Sequence, residues 1–159
     1  MEPEGGRAHV SSSNAAIRMH LVWSTRHRRP WLDPEWRARL FAAAEAIVQS
    51  TGGRLLCAGG TRDHIHLYIQ APPTASADGI VDALKAGTTR WVRQSFPHRR
   101  EFGWQRGYAA FSVTPQDDSE LQHQIRNQEV LHRELSFLAE YQGLLERHGV
   151  GFDLRYVLQ

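Results

Sequence analysis

The sequence has one cysteine, Cys57, one lysine, Lys85, and no apolar run long enough to cross a bilayer. A lone cysteine excludes an intrachain disulfide and the zinc sites built from paired cysteines. It fits a reducing compartment, and the expected location is the cytoplasm. The first residues lack the apolar segment of a signal peptide. Lys+Arg number 19 against 17 Asp+Glu, so the net charge is small. With one lysine, the cations are almost all arginine. Its planar fork suits bidentate contact with phosphate, although a GC-rich genome produces the same bias without a function. At 159 residues and 41% hydrophobic content, the chain suffices for one domain with a real core.

Residues 1–17, rich in Gly, Ser and Ala, read as a disordered leader, and 18–159 as the domain. A first strand is expected over 18–25, with Met19, Leu21 and Trp23 on one face and His20, Val22 and Ser24 on the other. Arg26, His27, Arg28 and Arg29 follow as a basic loop, read either as a phosphate contact or as a solvated turn. Asp33-Pro34 opens a helix whose stripe is Trp36, Leu40, Ala44, Ile47 and Val48, and Gly52-Gly53 stops it. Strands over 54–59 and 63–70 come next. A second helix from Ser76 or Asp78 buries Ile80, Leu84 and Trp91. A fourth strand over 108–113 turns Ala109, Phe111 and Val113 to the core, leaving Ala110 and Ser112 on the other side. Thr114-Pro115 starts a third helix, running to about His132. A last helix buries Phe137, Leu138, Tyr141, Leu144 and Leu145. The order βαββαβ followed by helices is an α+β, ferredoxin-like antiparallel sheet with C-terminal helical additions.

The chemistry concentrates in Asp63-His64-Ile65-His66-Leu67-Tyr68. A strand sends residues i and i+2 to one face, so both imidazoles point one way while Ile65, Leu67 and Ile69 face the core. That row, with Tyr68 and Gln70, is expected off the main core, where it suits a metal or a pair of surface histidines. On the third helix Leu121, Gln124, Ile125 and Gln128 form one stripe. If that helix crosses the open sheet face, an amide oxygen completes a site with two imidazoles and leaves coordination positions free. Such a site fits a catalytic divalent ion, Mg²⁺ or Mn²⁺, with histidine ligands tilting toward Mn²⁺ or Zn²⁺. Asp63 is placed to orient His64, or is simply a turn residue. Arg26 and Arg28, then Lys85 and Arg90 beside Trp91, then Arg106 beside Trp104, are the candidate DNA contacts. Taken singly, both tryptophans read as core.

At this point the residues resemble a known family. His20-Leu-Val-Trp-Ser-Thr25, Gly60-Thr-Arg-Asp-His-Ile-His66, Leu84-Lys-Ala-Gly-Thr-Thr-Arg-Trp91, Trp104-Gln-Arg-Gly-Tyr-Ala-Ala-Phe-Ser-Val113 and Ile125-Arg-Asn-Gln128 are similar, in order and spacing, to the single-tyrosine HUH transposases of small insertion sequences and their repeat-associated relatives. The resemblance implies a dimeric catalytic domain that binds single-stranded hairpin DNA. It implies cleavage by a helix tyrosine, which leaves a 5′-phosphotyrosine and a free 3′-OH and ends in strand transfer. It makes His64 and His66 metal ligands and Gln128 the third.

The family's nucleophile stands four residues before that third ligand, and here the position is Gln124. A carboxamide gives no stable phosphoryl-enzyme intermediate. The expectation is therefore a transposase-like protein that keeps DNA binding and is inactive or impaired in cleavage. The alternatives are a metal-dependent single-stranded nuclease using water or another tyrosine, starting at Tyr68, and a non-catalytic nucleic-acid-binding or interaction module.

Overall fold

A computed structural model of the chain describes residues 14–157. The expected leader lies, over 1–13, outside the described residues; Ile17 already pairs with Ala71. The order is β1 (Ile17–Ser24), α1 (Pro34–Ser50), β2 (Arg54–Gly60), β3 (His64–Ala71), α2 (Ala77–Ser95), β4 (Ala109–Ser112), α3 (Asp118–Arg126), α4 (Gln128–Leu131) and α5 (Phe137–Arg147). The sheet runs β2-β3-β1-β4 with every neighbour antiparallel, the ferredoxin-like arrangement. No described helix is long and apolar enough to cross a membrane.

One sheet face follows directly from alternation. Leu21 and Trp23 of β1 and Ile65, Leu67 and Ile69 of β3 pack against Leu40, Ala44 and Val48 of α1 and Ile80, Leu84 and Val92 of α2. Each large side chain buried there contributes about 1.5–3 kcal/mol. Trp91 and Ile47 only flank this core, and Trp104 joins it. Asp33 stands at the start of α1 but does not cap it: its carboxylate instead pairs with Arg62 at 3.1 Å and Arg99 at 3.0 Å. Gly52, at φ +87°, turns the chain out of α1 in the left-handed region that favours glycine.

The other face is not open. α3, α4 and α5 cover it, so His20, Ser24, His64, His66 and Tyr68 are all buried. The register explains why the fourth strand reads the wrong way round in sequence. His20 lies opposite Phe111 and Val22 opposite Ala109. Ala109 and Phe111 therefore share the histidine face, where they pack with Val22 against Phe137, Tyr141, Leu144 and Leu145 of α5. Ala110 turns toward the main core. Alternation defines two faces but cannot say which is covered when both are.

The third helix also differs from expectation. Thr114 and Asp117 close a turn, with Thr114 Oγ1 donating to Asp117 at 2.8 Å, and α3 starts only at Asp118. Asn127 then leaves helical geometry, dividing α3 from α4. What seats α3 is Gly59, opposite His66 on β2. A Cβ built on Gly59 would stand 1.9 Å from the Ile125 carbonyl oxygen. Only a residue without a side chain admits the helix backbone this close. We predict that Gly59→Ala lowers stability by about 1–3 kcal/mol, as overpacking does. Urea unfolding with an unchanged m value reads the loss.

Candidate metal centre

His64 and His66 occupy a central strand, and each presents one ring nitrogen to a fixed partner. His64 Nδ1 lies 2.8 Å from Asp63 Oδ1 and 3.0 Å from Thr61 Oγ1. His66 Nδ1 lies 2.8 Å from Nε2 of His20, its diagonal neighbour on β1, and the two rings stack at 5.1 Å. Both Nε2 atoms are thereby turned toward the helical layer, as a metal-binding imidazole is oriented by a partner on its other nitrogen. His64 also stacks on Phe137 at 3.9 Å, which fixes its plane.

Gln128 and Glu140 meet these nitrogens from above. Gln128 Oε1 is 2.8 Å from His64 Nε2 and 3.1 Å from His132 Nε2, and its amide donates to Glu140 Oε1 at 3.0 Å. Glu140 Oε1 stands 3.1 Å from His66 Nε2 and its other oxygen pairs with His132. One donor atom from each of His64, His66 and Glu140 lies within 4.8 Å of the others. Sequence reasoning missed Glu140, His132 and His20. The apolar stripe of the last helix hides the first, and no local pattern marks the others.

The electrostatics are those of a buried, closely coupled cluster. Burial lowers the His20 imidazole well below its ordinary value, helped by neighbouring His66. Burial likewise lowers His66, against the opposing pull of Glu140. Burial would raise Glu140, but contacts from His132, His66 and Gln128 outweigh it and hold the carboxylate far below its usual range. Burial opposes charge on His132, yet Glu140 and the Leu135 carbonyl raise it. Asp63 is pushed up by burial and held down overall by His64 and Thr61.

The donor set fits a divalent cation. Among the described residues His66 Nε2 is buried without a hydrogen-bond partner, while Glu140 Oε2 is held in an ion pair by His132. His66 Nε2 faces Glu140 Oε1 at 3.1 Å but is not aligned for a hydrogen bond. Adjacent ligands held about 2.1 Å from one ion stand roughly 3 Å apart, so an ion would satisfy the unmatched His66 nitrogen and join it to the carboxylate beside it.

Gln124 does not join this cluster. Its amide donates to Glu120 at 3.1 Å, and its side chain lines two adjoining cavities between α3 and α5. The cavity of about 220 Å³ includes His20, His66, Gln128 and Glu140; the one of about 120 Å³ includes His20, Phe111 and His148. Neither has a tyrosine in its wall. Tyr68 and Tyr108 donate their hydroxyls to Asp118 and Asp78, Tyr141 is buried on the sheet-facing side of α5, and Tyr156 is exposed near the C-terminus.

The candidate DNA residues separate into groups. Arg26 and Lys85 share an open cavity with Arg93 beside Trp104. Lys85 is half-buried there, donating to the carbonyls of Gln105, Arg106 and Gly107 at 2.8, 3.2 and 2.6 Å, so it pins the loop that carries exposed Arg106. Arg28 is exposed beyond β1. Arg90 lies apart, in a groove with Arg39 and Trp91 between α1 and α2.

Comparison with known proteins is consistent with this geometry. The family described as IS200-like transposases matches residues 13–128. The ISDra2 transposase TnpA of Deinococcus radiodurans is 25% identical over 133 residues, 80% of this chain and 92% of that one. The transposase of insertion sequence IS200 from Salmonella typhimurium is 26% identical over 115 residues, 69% of this chain and 74% of its own. Among solved structures, a Deinococcus radiodurans R1 protein assigned as a transposase superposes with a TM-score of 0.61 at 25% identity, over 74% of this chain and 94% of that one. A REP-associated tyrosine transposase bound to a REP hairpin shares the fold, with a TM-score of 0.59 at 14% identity, over 75% and 70% of the two chains.

The cluster predicts a pH response of the metal-free protein. His20 and His66, held below their unfolded value near 6.5, cost stability once the unfolded chain takes up their protons. His132, raised, contributes in the opposite sense over the same range, but it is one group against two. Glu140, depressed, adds stability above its unfolded value of about 4.3 and loses it only below. With chelator present, Tm should therefore fall between pH 7.5 and 5.5 and fall further below about pH 4. A flat thermal-melt profile above pH 5 would contradict the assignment.

Proposed function

The chain belongs to the family of IS200-like transposases, and from that premise we propose that it binds single-stranded hairpin DNA at a divalent-metal centre but does not form the family's phosphotyrosine link. The observation that carries the second half is the wall of the two adjoining cavities, one of them lined by His66, where Gln124 stands and no tyrosine does. Its carboxamide cannot serve as the nucleophile. Tyr68, the nearest substitute in sequence terms, has its hydroxyl engaged by Asp118 at 2.7 Å.

His64 and His66 would hold Mg²⁺ or Mn²⁺ through Nε2, with an oxygen donor from the helical layer. Bound there, the ion would polarise a phosphodiester oxygen and orient the phosphate for in-line attack. Asp63 and His20 keep the two imidazoles aimed by holding Nδ1 of each. Arg26, Arg28 and Arg106 supply phosphate contacts around the strand ends near His64, and such contacts do not depend on residue 124. Lys85 acts by holding the 105–107 loop, while Arg90 could touch only DNA that reaches the outer helices. Support for a hairpin ligand comes from the REP hairpin bound by a protein of the same fold. The family's dimeric state is part of the proposal, and light scattering of the purified chain tests it.

Labelled hairpin oligonucleotides from the flanks of the gene, incubated with Mn²⁺ or Mg²⁺ and run on a denaturing gel, test the proposal. The wild type should give no covalent adduct, and Gln124→Tyr should give one. An adduct with the wild type would overturn the reading and direct the search to another nucleophile. In native gels both proteins should bind the hairpin, with affinity falling steeply as salt rises.

A further inference from the structure

Two oxygen donors of the helical layer reach the histidine pair, Gln128 and Glu140, and they are not equivalent. Gln128 Oε1 is shared between His64 and His132, and its amide nitrogen is given to Glu140. Apart from a long contact of its amide with the Gln124 carbonyl at 3.5 Å, the contacts of that side chain orient other members of the cluster. Glu140 is different: it is a charged, largely buried carboxylate whose Oε2 pairs with His132, while its Oε1 stands 3.1 Å from His66 Nε2, a buried nitrogen with no aligned hydrogen bond among the described residues. A buried ring nitrogen left unmatched beside a carboxylate is costly, and a shared cation would remove that cost.

We propose that Glu140 is the anionic third ligand of this centre, that Gln128 is a positioning residue, and that the site takes Zn²⁺ or Mn²⁺ in preference to Mg²⁺. The proposal rests on the metal-centre reading above and deepens it. Mg²⁺ favours oxygen ligands and keeps its waters, so two imidazoles disfavour it. Two imidazoles with one carboxylate suit transition ions, Zn²⁺ binding more tightly than Mn²⁺ in the usual order. Glu140 lies on α5, beyond the residues 13–128 that match the family. His132, one turn beyond Gln128 and paired with Glu140, braces the carboxylate toward His66.

Mn²⁺ titration of the purified full chain, followed by loss of the free-ion paramagnetic resonance signal, tests this without any DNA or activity. The wild type should bind Mn²⁺, release it to Zn²⁺ and retain it against an equal concentration of Mg²⁺. Glu140→Gln should weaken Mn²⁺ binding by about tenfold or more, and Gln128→Ala should weaken it less. The reverse ranking, or displacement of Mn²⁺ by equimolar Mg²⁺, overturns the proposal. If His64→Ala and His66→Ala also leave binding unchanged, the metal-centre reading itself falls. Circular dichroism checks the fold of each variant. Should Glu140→Gln unfold, Glu140→His decides: a nitrogen ligand there should raise the preference for Zn²⁺ over Mn²⁺, and an unchanged preference overturns the proposal.

Discussion

Two imidazoles buried on a central β-strand have to be matched by polar groups, and most of the second half of the chain is arranged around that need. A buried polar side chain without a partner costs on the order of 1–3 kcal/mol. Asp63 and His20 answer the two Nδ1 atoms from within the sheet layer. The two Nε2 atoms can be answered only from above, which requires helices close over the sheet. Gly59 makes that approach possible by letting the Ile125 backbone rest on β2, and α5 completes the cover with Phe137, Tyr141, Leu144 and Leu145. Gln128 and Glu140 arrive as consequences of this packing.

The same strand therefore serves two purposes. Ile65, Leu67 and Ile69 anchor the sheet on α1 and α2, so β3 is held rigidly. His64 and His66 inherit that rigidity on the opposite face. A site built on the centre of a sheet keeps its geometry better than one carried on loops. The proposed nucleophile position, Gln124, lies in a different mechanical setting, on α3, which ends where Asn127 breaks the helix. A glutamine rather than a tyrosine at this position leaves the imidazoles and their partners in place. The proposed loss of covalent chemistry and the proposed metal centre are compatible for that reason.

The element order and the aim of the histidines were legible because both depend on short-range periodicity. Alternation puts His64 and His66 on one face whatever the rest of the chain does. The third helix was legible through Leu121, Gln124, Ile125 and Gln128; its break at Asn127 was not read, although asparagine is a residue favoured at helix ends, because the stripe continues through Gln128. Glu140 and His132 could not be read because their roles arise from contacts with strand residues far away in sequence. The direction of Ala109 and Phe111 was misread for a related reason: an apolar strand face signals burial without naming the layer that buries it. Lys85 read as a DNA contact because it shares the second helix with Arg90 near Trp91; its ammonium donates to three backbone carbonyls, which only the folded loop brings to it.

The central claim is that the chain carries a preformed divalent-metal centre beneath α3 and α5 in the absence of the tyrosine. Anomalous diffraction from crystals of the wild-type chain soaked in Mn²⁺ tests it most directly. The account predicts one strong peak within bonding distance of His64 Nε2, His66 Nε2 and the Glu140 carboxylate, with the flanking Asp63 and His20 contacts unchanged. A cluster that stays without a peak at saturating Mn²⁺, or a peak bound away from both histidines, would contradict it.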